Sequence, residues 1–173
     1  VTSALTLWAI VYPAELDRDQ GIVSKWLTTG NVRSYALYLN SSNQFVFAVS
    51  SNGTAETTVS SAAISKVNRW YFVCARYVPS TSLSIQIDNA MTVNTTSIPA
   101  SIYDNARQLQ VGQFNENSGA RWRGRIAQVG LCAYAVPDAM VQQLFGALKP
   151  DLGLTEGEEY VPPVGPDEVT LYA

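Results

Sequence analysis

Apolar residues in this chain recur at alternate positions or in short unbroken runs, each closed by turn formers. Residues 5–11, "LTLWAIV", stop at Tyr12-Pro13, and residues 21–26 stop before Thr28-Thr29-Gly30. Residues 34–39 and 44–49 flank the polar loop Asn40-Ser41-Ser42-Asn43, which has hairpin length. In residues 82–87, Leu83, Ile85 and Ile87 alternate with Ser82, Ser84 and Gln86, the pattern of a strand with one wet face. Asp88-Asn89 tolerates left-handed backbone and predicts a tight turn into Met91-Thr92-Val93. Further β-type runs lie at 108–112 and 123–135.

Two stretches depart from simple alternation. Residues 69–78, "RWYFVCARYV", show almost no polar position, so both faces of that strand need cover or a ligand. After Pro137-Asp138, residues Val141, Leu144, Phe145 and Leu148 fall at i, i+3, i+4 and i+7, one apolar helical stripe. Proline and aspartate suit its N-terminus, and Gly146 or Pro150 marks its end. About ten strands and one short C-terminal helix predict an all-β, two-sheet sandwich over residues 1–150. From Asp151 the chain turns acidic and Gly-rich, then Pro-rich, and residues 151–173 read as an extended tail. Within it, residues 168–172 regain a β-type alternation, with Val169 and Leu171 on one face and Thr170 and Tyr172 on the other.

Composition narrows the chemistry. Hydrophobic residues make up 47 % of the 173 residues but charged ones only 14 %, so the surface must be built from Ser, Thr, Asn and Gln. The net charge of −3 supplies no footprint for nucleic acid, and Arg121, Arg123 and Arg125 form too small a basic group to change that. No apolar run approaches the roughly 20 residues of a membrane span. The chain begins at Val1, which reads as a processed or excised piece of something longer. It has no histidine, which removes Ser-His-Asp and Cys-His catalysis and the usual first ligand of a zinc site. Asn40, Asn52 and Asn94 head Asn-x-Ser/Thr triplets, acceptors only where the host glycosylates.

"LTLWAIVYP" followed by "GIVSKW", "YALYLNSSNQFVFAV", the Trp-initiated "RWYFVCARYV", "LSIQIDNAM" and "RWRGRIAQVGLCAYAVPDAMVQQLF" resembles the concanavalin A-like, laminin G-like jelly-roll family. The resemblance runs from about residue 4 to 148 and rests on order and spacing. It implies two stacked antiparallel sheets. In residues 70–77 it places Tyr71, Val73, Ala75 and Tyr77 between the sheets, and Trp70, Phe72, Cys74 and Arg76 beneath the helix or a loop. There are departures: Asn89 stands where glycine is usual, Ala127-Gln128 replace an acidic residue, and a first strand of some twenty residues is missing before "LTLWAIVYP".

The resemblance implies a binding module rather than an enzyme. Glycosidases on this fold use paired strand carboxylates, whereas the nearest acids here, Glu15, Asp17 and Asp19, fall in a polar loop. The expected function is extracellular recognition of a cell-surface glycan or protein through rim loops. The alternative is a structural or assembly domain of a virion surface or extracellular lattice. Carbohydrate sites on such sandwiches join an exposed aromatic to amide and charged groups, which points to Trp26 and to Asn117, Arg121, Trp122 and Arg123. Calcium at a sandwich rim would draw on Asp17, Asp19, Asp104, Asn115 and Glu116, although the replaced acid counts against it. Cys74 and Cys132 both lie one residue past an inward position of the family pattern. They could bond if their strands are neighbours, or remain two covered thiols. The tail would contact a neighbouring subunit or the parent assembly, or else be a linker. Its strand at 168–172 would either fill, in the same chain, the sheet edge that the missing strand leaves free, or be donated to a neighbouring molecule.

Overall fold

The computed structural model describes residues 3–115 and 120–148. The ten strands, in chain order, are β1 (Leu5–Pro13), β2 (Gln20–Lys25), β3 (Tyr35–Leu39), β4 (Gln44–Val49), β5 (Thr57–Ala63), β6 (Tyr71–Val78), β7 (Ser82–Ile87), β8 (Ala90–Asn94), β9 (Gln110–Val111) and β10 (Gly124–Cys132), followed by helix α1 (Asp138–Leu148). They form two five-stranded antiparallel sheets, a back sheet ordered β10-β1-β6-β7-β8 and a front sheet ordered β5-β4-β3-β2-β9. The jelly-roll sandwich read from the sequence is thus the observed architecture, with strand ends shifted by up to three residues.

One strand escapes the sequence pattern. β5, "TTVSSAA", has only Val59 and Ser61 buried. It is an edge strand of small polar residues, held by its ladder to β4 rather than by an apolar face. Helix α1 runs through Gly146 to Leu148, so glycine does not end it, and Pro150 lies outside the described residues.

The crowded strand β6 serves two cores. Tyr71, Val73, Ala75 and Tyr77 join Leu5, Leu7, Ala9 and Val11 of β1 and Leu37, Leu39, Phe45 and Phe47 of the front sheet between the sheets. On the opposite face Phe72 and Cys74 join Ile10, Val141 and Phe145 under α1, with Trp8, Trp70, Leu144 and Leu148 around them. Phe72 and Phe145 rings stand 5.3 Å apart. The strand needs no polar face because α1 removes its second one from water. Arg76 closes that layer: its guanidinium pairs with Asp138 in the first turn of α1 and donates to the Val136 carbonyl at 3.0 Å. The cation joins an acid at the helix N-terminus to the sheet, where the helix dipole favours negative charge.

Turn chemistry sets the hairpins. Asp88 takes the left-handed conformation at φ 51°. Its carboxylate accepts from the Phe72 amide at 2.9 Å and pairs with Arg69, locking the β7–β8 turn onto the start of β6. Asn89 can therefore replace the usual glycine, because the residue before it carries the positive φ. The two long sides of the sandwich differ. On the β5/β8 side, Asn94 Nδ2 donates to the Thr58 carbonyl at 2.9 Å and joins the sheets. On the β9/β10 side, Leu109, Val111 and Leu131 are exposed.

Candidate functional site

A hairpin rising from β9 returns across the front sheet and builds the site. Gly21 permits it: a β-carbon there would stand 2.2 Å from the Gln113 carbonyl carbon and the Phe114 nitrogen. The Gly21 and Phe114 amides both donate to the Ala120 carbonyl at 3.0 Å, and Ser24 Oγ donates to the Gln113 carbonyl at 2.8 Å. With the backbone seated on β2, Phe114 lies on the outer face of the front sheet. Its ring stacks on Tyr38 of β3 with centroids 4.4 Å apart and planes 6° from parallel. Trp26 lies next to Phe114 at 6.2 Å, over Ala36 and Ala48. The Arg33 guanidinium stands 6.0 Å from the Trp26 ring.

The electrostatics of this stack are specific. Burial chiefly, then the charges of Glu56 and Asp19, push the Tyr38 phenol up to about 12. It therefore stays neutral and keeps its proton for donation at physiological pH. The paired strands set Val46 of β4 and Ser60 of β5 in line with Tyr38, and Ala48 and Thr58 in line with Ala36. The result is a half-buried aromatic pair on a sheet face, with hydroxyl groups across the strands and the charges of two carboxylates acting on the phenol. That arrangement suits a flat ligand with one apolar face and hydroxyl groups at its rim.

The sequence-derived residues scatter around this stack. Trp26, expected as an exposed platform, is only 2 % exposed. The reason is tertiary: Phe114 and Tyr38 pack over it. Trp122 is half-buried, packs on the core between the sheets and donates its indole N–H to the Arg125 carbonyl at 3.1 Å. Arg121 pairs through its backbone with Gln113, and the Arg123 amide donates to Gln20 Oε1 at 2.8 Å. Both side chains are exposed on the hairpin that carries Phe114. Asn117 and Glu116 lie outside the described residues, as does the 151–173 tail with its 168–172 segment. Tyr38, Phe114 and Glu56 were not singled out in the sequence. Gly112 and Gly124, bracketing one hairpin with an aromatic at its rise, are the signal that could have found Phe114.

The described members of the calcium set do not come together. The Asp17 backbone and carboxylate bond Asn43 at 2.7 and 2.8 Å, and Asp19 accepts from the Ser41 amide at 2.9 Å, so both tie their loop to the β3–β4 turn. Asp104 instead meets Lys25 Nζ at 3.2 Å and sits by Tyr35, at the other end of β3. Five strand residues separate those ends, about 13 Å. The Lys25 ammonium holds the Asp104 carboxyl below its usual value. Asn115 is spent on the Thr28 amide at 2.6 Å. Among the described residues, no group of three or more His, Cys, Asp or Glu side chains could hold a metal ion. Glu15 is ion-paired to Arg18 at 3.0 Å.

The cysteines are not on neighbouring strands. β1 runs between β6 and β10, with Cys74 opposite Trp8 and Cys132 opposite Thr6. Two strand spacings, about 10 Å, exceed the roughly 7 Å that a disulfide spans. Both thiols are free, Cys74 buried and Cys132 half-buried. Of the sequons, Asn40 and Asn94 use their amide nitrogens internally, on Gln44 Oε1 and the Thr58 carbonyl. Asn52 is exposed, and its oxygen accepts from the Thr54 and Ala55 amides at 2.9 Å.

A laminin G-type family model, described as concanavalin A-like lectin/glucanases superfamily, matches residues 1–142. The chain belongs to that superfamily. No curated protein matches it. Solved structures match in fold. The Ruminococcus gnavus IT-sialidase CBM40 bound to α2,6 sialyllactose is 11 % identical with a TM-score of 0.66, over 84 % of this chain and 85 % of that one. A carbohydrate binding protein from Bacteroides ovatus, so described as a provisional assignment, is 15 % identical with a TM-score of 0.64, over 82 % of this chain and 40 % of that one. The binding domain of botulinum neurotoxin DC in complex with SialylT is 14 % identical with a TM-score of 0.59, over 85 % of this chain and 36 % of that one. This chain thus spans well under half the length of the latter two structures. At these identities the likeness shows the fold alone.

Proposed function

We propose that this superfamily member is a non-catalytic glycan-binding module that works outside the cell and binds on the outer face of its front sheet, at the Tyr38–Phe114 stack. The carrying observation is the pair itself: two rings 6° from parallel and half-buried, with centroids 4.4 Å apart. A pyranose ring offers C–H groups to such an aromatic face and hydroxyl groups to carboxylates and to Tyr38. Charges of both signs border the stack, Glu56 and Asp19 acting on the phenol and Arg33 by Trp26, so no one-signed field favours an anionic sugar and the reading is a neutral oligosaccharide. The Ser-, Thr- and Asn-rich surface, low in charge, supports a place outside the cell. The fold likeness to carbohydrate-binding proteins supports the class of ligand but not its identity.

An array of neutral and sialylated oligosaccharides, followed by titration calorimetry of the best neutral hit, tests the reading. Tyr38→Ala and Phe114→Ala should each weaken binding about tenfold or more, some 1.4 kcal/mol. Thermal melts of both variants verify the fold. Binding that survives both changes, or that is confined to sialylated glycans, sinks it.

A further inference from the structure

The β9/β10 side of the sandwich is unfinished in a particular way. β10 ends the back sheet among the described residues. Leu131 lies opposite Leu7 and Val129 opposite Ala9, both core residues of β1, so Leu131 and Val129 point between the sheets. Leu131 is nevertheless 38 % exposed. Across the gap, Val111 lies opposite the buried Val23 and is 55 % exposed. Inward-pointing aliphatic side chains on two facing edge strands are left in water, which costs hydrophobic free energy, and an unpaired strand edge costs ladder bonds as well. The β5/β8 side shows no such gap, because Asn94 bridges it.

We propose that residues 168–172 of this same chain occupy this edge as a sixth strand of the back sheet. Their alternation fits: Val169 and Leu171 would turn inward onto Val129 and Leu131, leaving Thr170 and Tyr172 outside. Reach fits as well. Helix α1 leaves the chain at Leu148 on the outer face of that sheet, and nineteen residues, 149 to 167, precede the segment. Extended, they span up to about 60 Å, more than a domain of this size requires. Charge fits third. The tail carries Asp151, Glu156, Glu158, Glu159, Asp167 and Glu168 against the single base Lys149. Arg121, Arg123 and Arg125, at and just before the start of β10, are exposed, and none is ion-paired among the described residues. An acidic leader arriving at a basic strand end steers the segment to β10 rather than to the β8 edge. Pro162, Pro163 and Pro166 keep the approach extended without needing ladder donors.

Hydrogen exchange on the full 173-residue chain tests this at two protein concentrations. The amides of Val169 to Tyr172 and those of Val129 to Cys132 should be protected together and independently of concentration. The double substitution Val169→Asp/Leu171→Asp, outside the sandwich, should abolish protection of the tail and lower that of β10, with β6 unchanged. Random-coil exchange at 169–172, or β10 protection untouched by the double variant, overturns the proposal. Protection that grows with concentration overturns it too, because the strand then comes from a second copy.

Discussion

The Trp8 indole lies across Gly130 so closely that a β-carbon on the glycine would stand 2.0 Å from Nε1 and 2.1 Å from Cε2. The two residues face each other across the β1–β10 ladder, and Trp8 also packs at the margin of the α1 layer. The glycine is thus the slot that lets a rigid ring cover an edge strand.

Gly130→Ala should therefore destabilise the fold by about 1–3 kcal/mol, the usual cost of overpacking a filled site. The clash is with a side chain, so a second change should relieve it: Trp8→Leu combined with Gly130→Ala should lose less than the sum of the two single variants. Urea unfolding of all four proteins measures this. Strict additivity would show that the indole does not rest on the glycine.

The helix layer makes a graded prediction. Phe145 is 3 % exposed with its ring 5.3 Å from that of Phe72, whereas Leu144 is only half-buried. Phe145→Ala should cost about 3–5 kcal/mol and Leu144→Ala distinctly less, since a side chain at the margin leaves a smaller cavity. Equal losses in thermal or urea unfolding would mean that the two leave comparable cavities and that the contact pattern is wrong.

The two thiols should behave as separate groups. Burial, the main cause, pushes the Cys74 thiol up to about 12, and the nearby Arg76 only partly offsets it. At pH 8 a thiol reagent should modify Cys132 in the native protein and reach Cys74 only after unfolding. Intact mass under non-reducing conditions should show both thiols free. Because the folded value lies above the ordinary one, the folded state holds the proton more tightly than the unfolded chain. That contribution to stability is fully present below about pH 9 and is lost as pH climbs towards 12. The raised Tyr38 phenol acts in the same direction at the top of this window. Urea midpoints should accordingly fall between pH 9 and 12, and a midpoint rising over that range would contradict the burial of both groups.

Much of the fold is legible in local pattern because each signal has a local cause. Alternation along residues 82–87 marks one wet face, and the stripe of Val141 and Phe145 marks the helix that β6 requires. β5 is silent because Thr, Ser and Ala in an edge strand owe their place to a neighbour's ladder rather than to burial. The site was less legible. Trp26 stood out as an aromatic beside a polar loop, yet its exposure depends on Phe114, which arrives from a distant hairpin. Asp17 and Asp104 looked alike as loop acids, and β3 separates them end to end.

Local sequence is enough to mark nine of the ten strands, all but β5, the start of the helix, and the two apolar faces of β6. Those properties follow from side-chain period along one segment and from turn residues next to it. Tertiary structure alone decided that β1 parts Cys74 from Cys132, that Trp26 goes under while Tyr38 and Phe114 emerge, and that the described residues leave the β9/β10 side uncovered. Each of these is a matter of which strands adjoin and which loop folds over which sheet. Such neighbours are chosen by the summed packing of residues far apart in the chain, which no local period records.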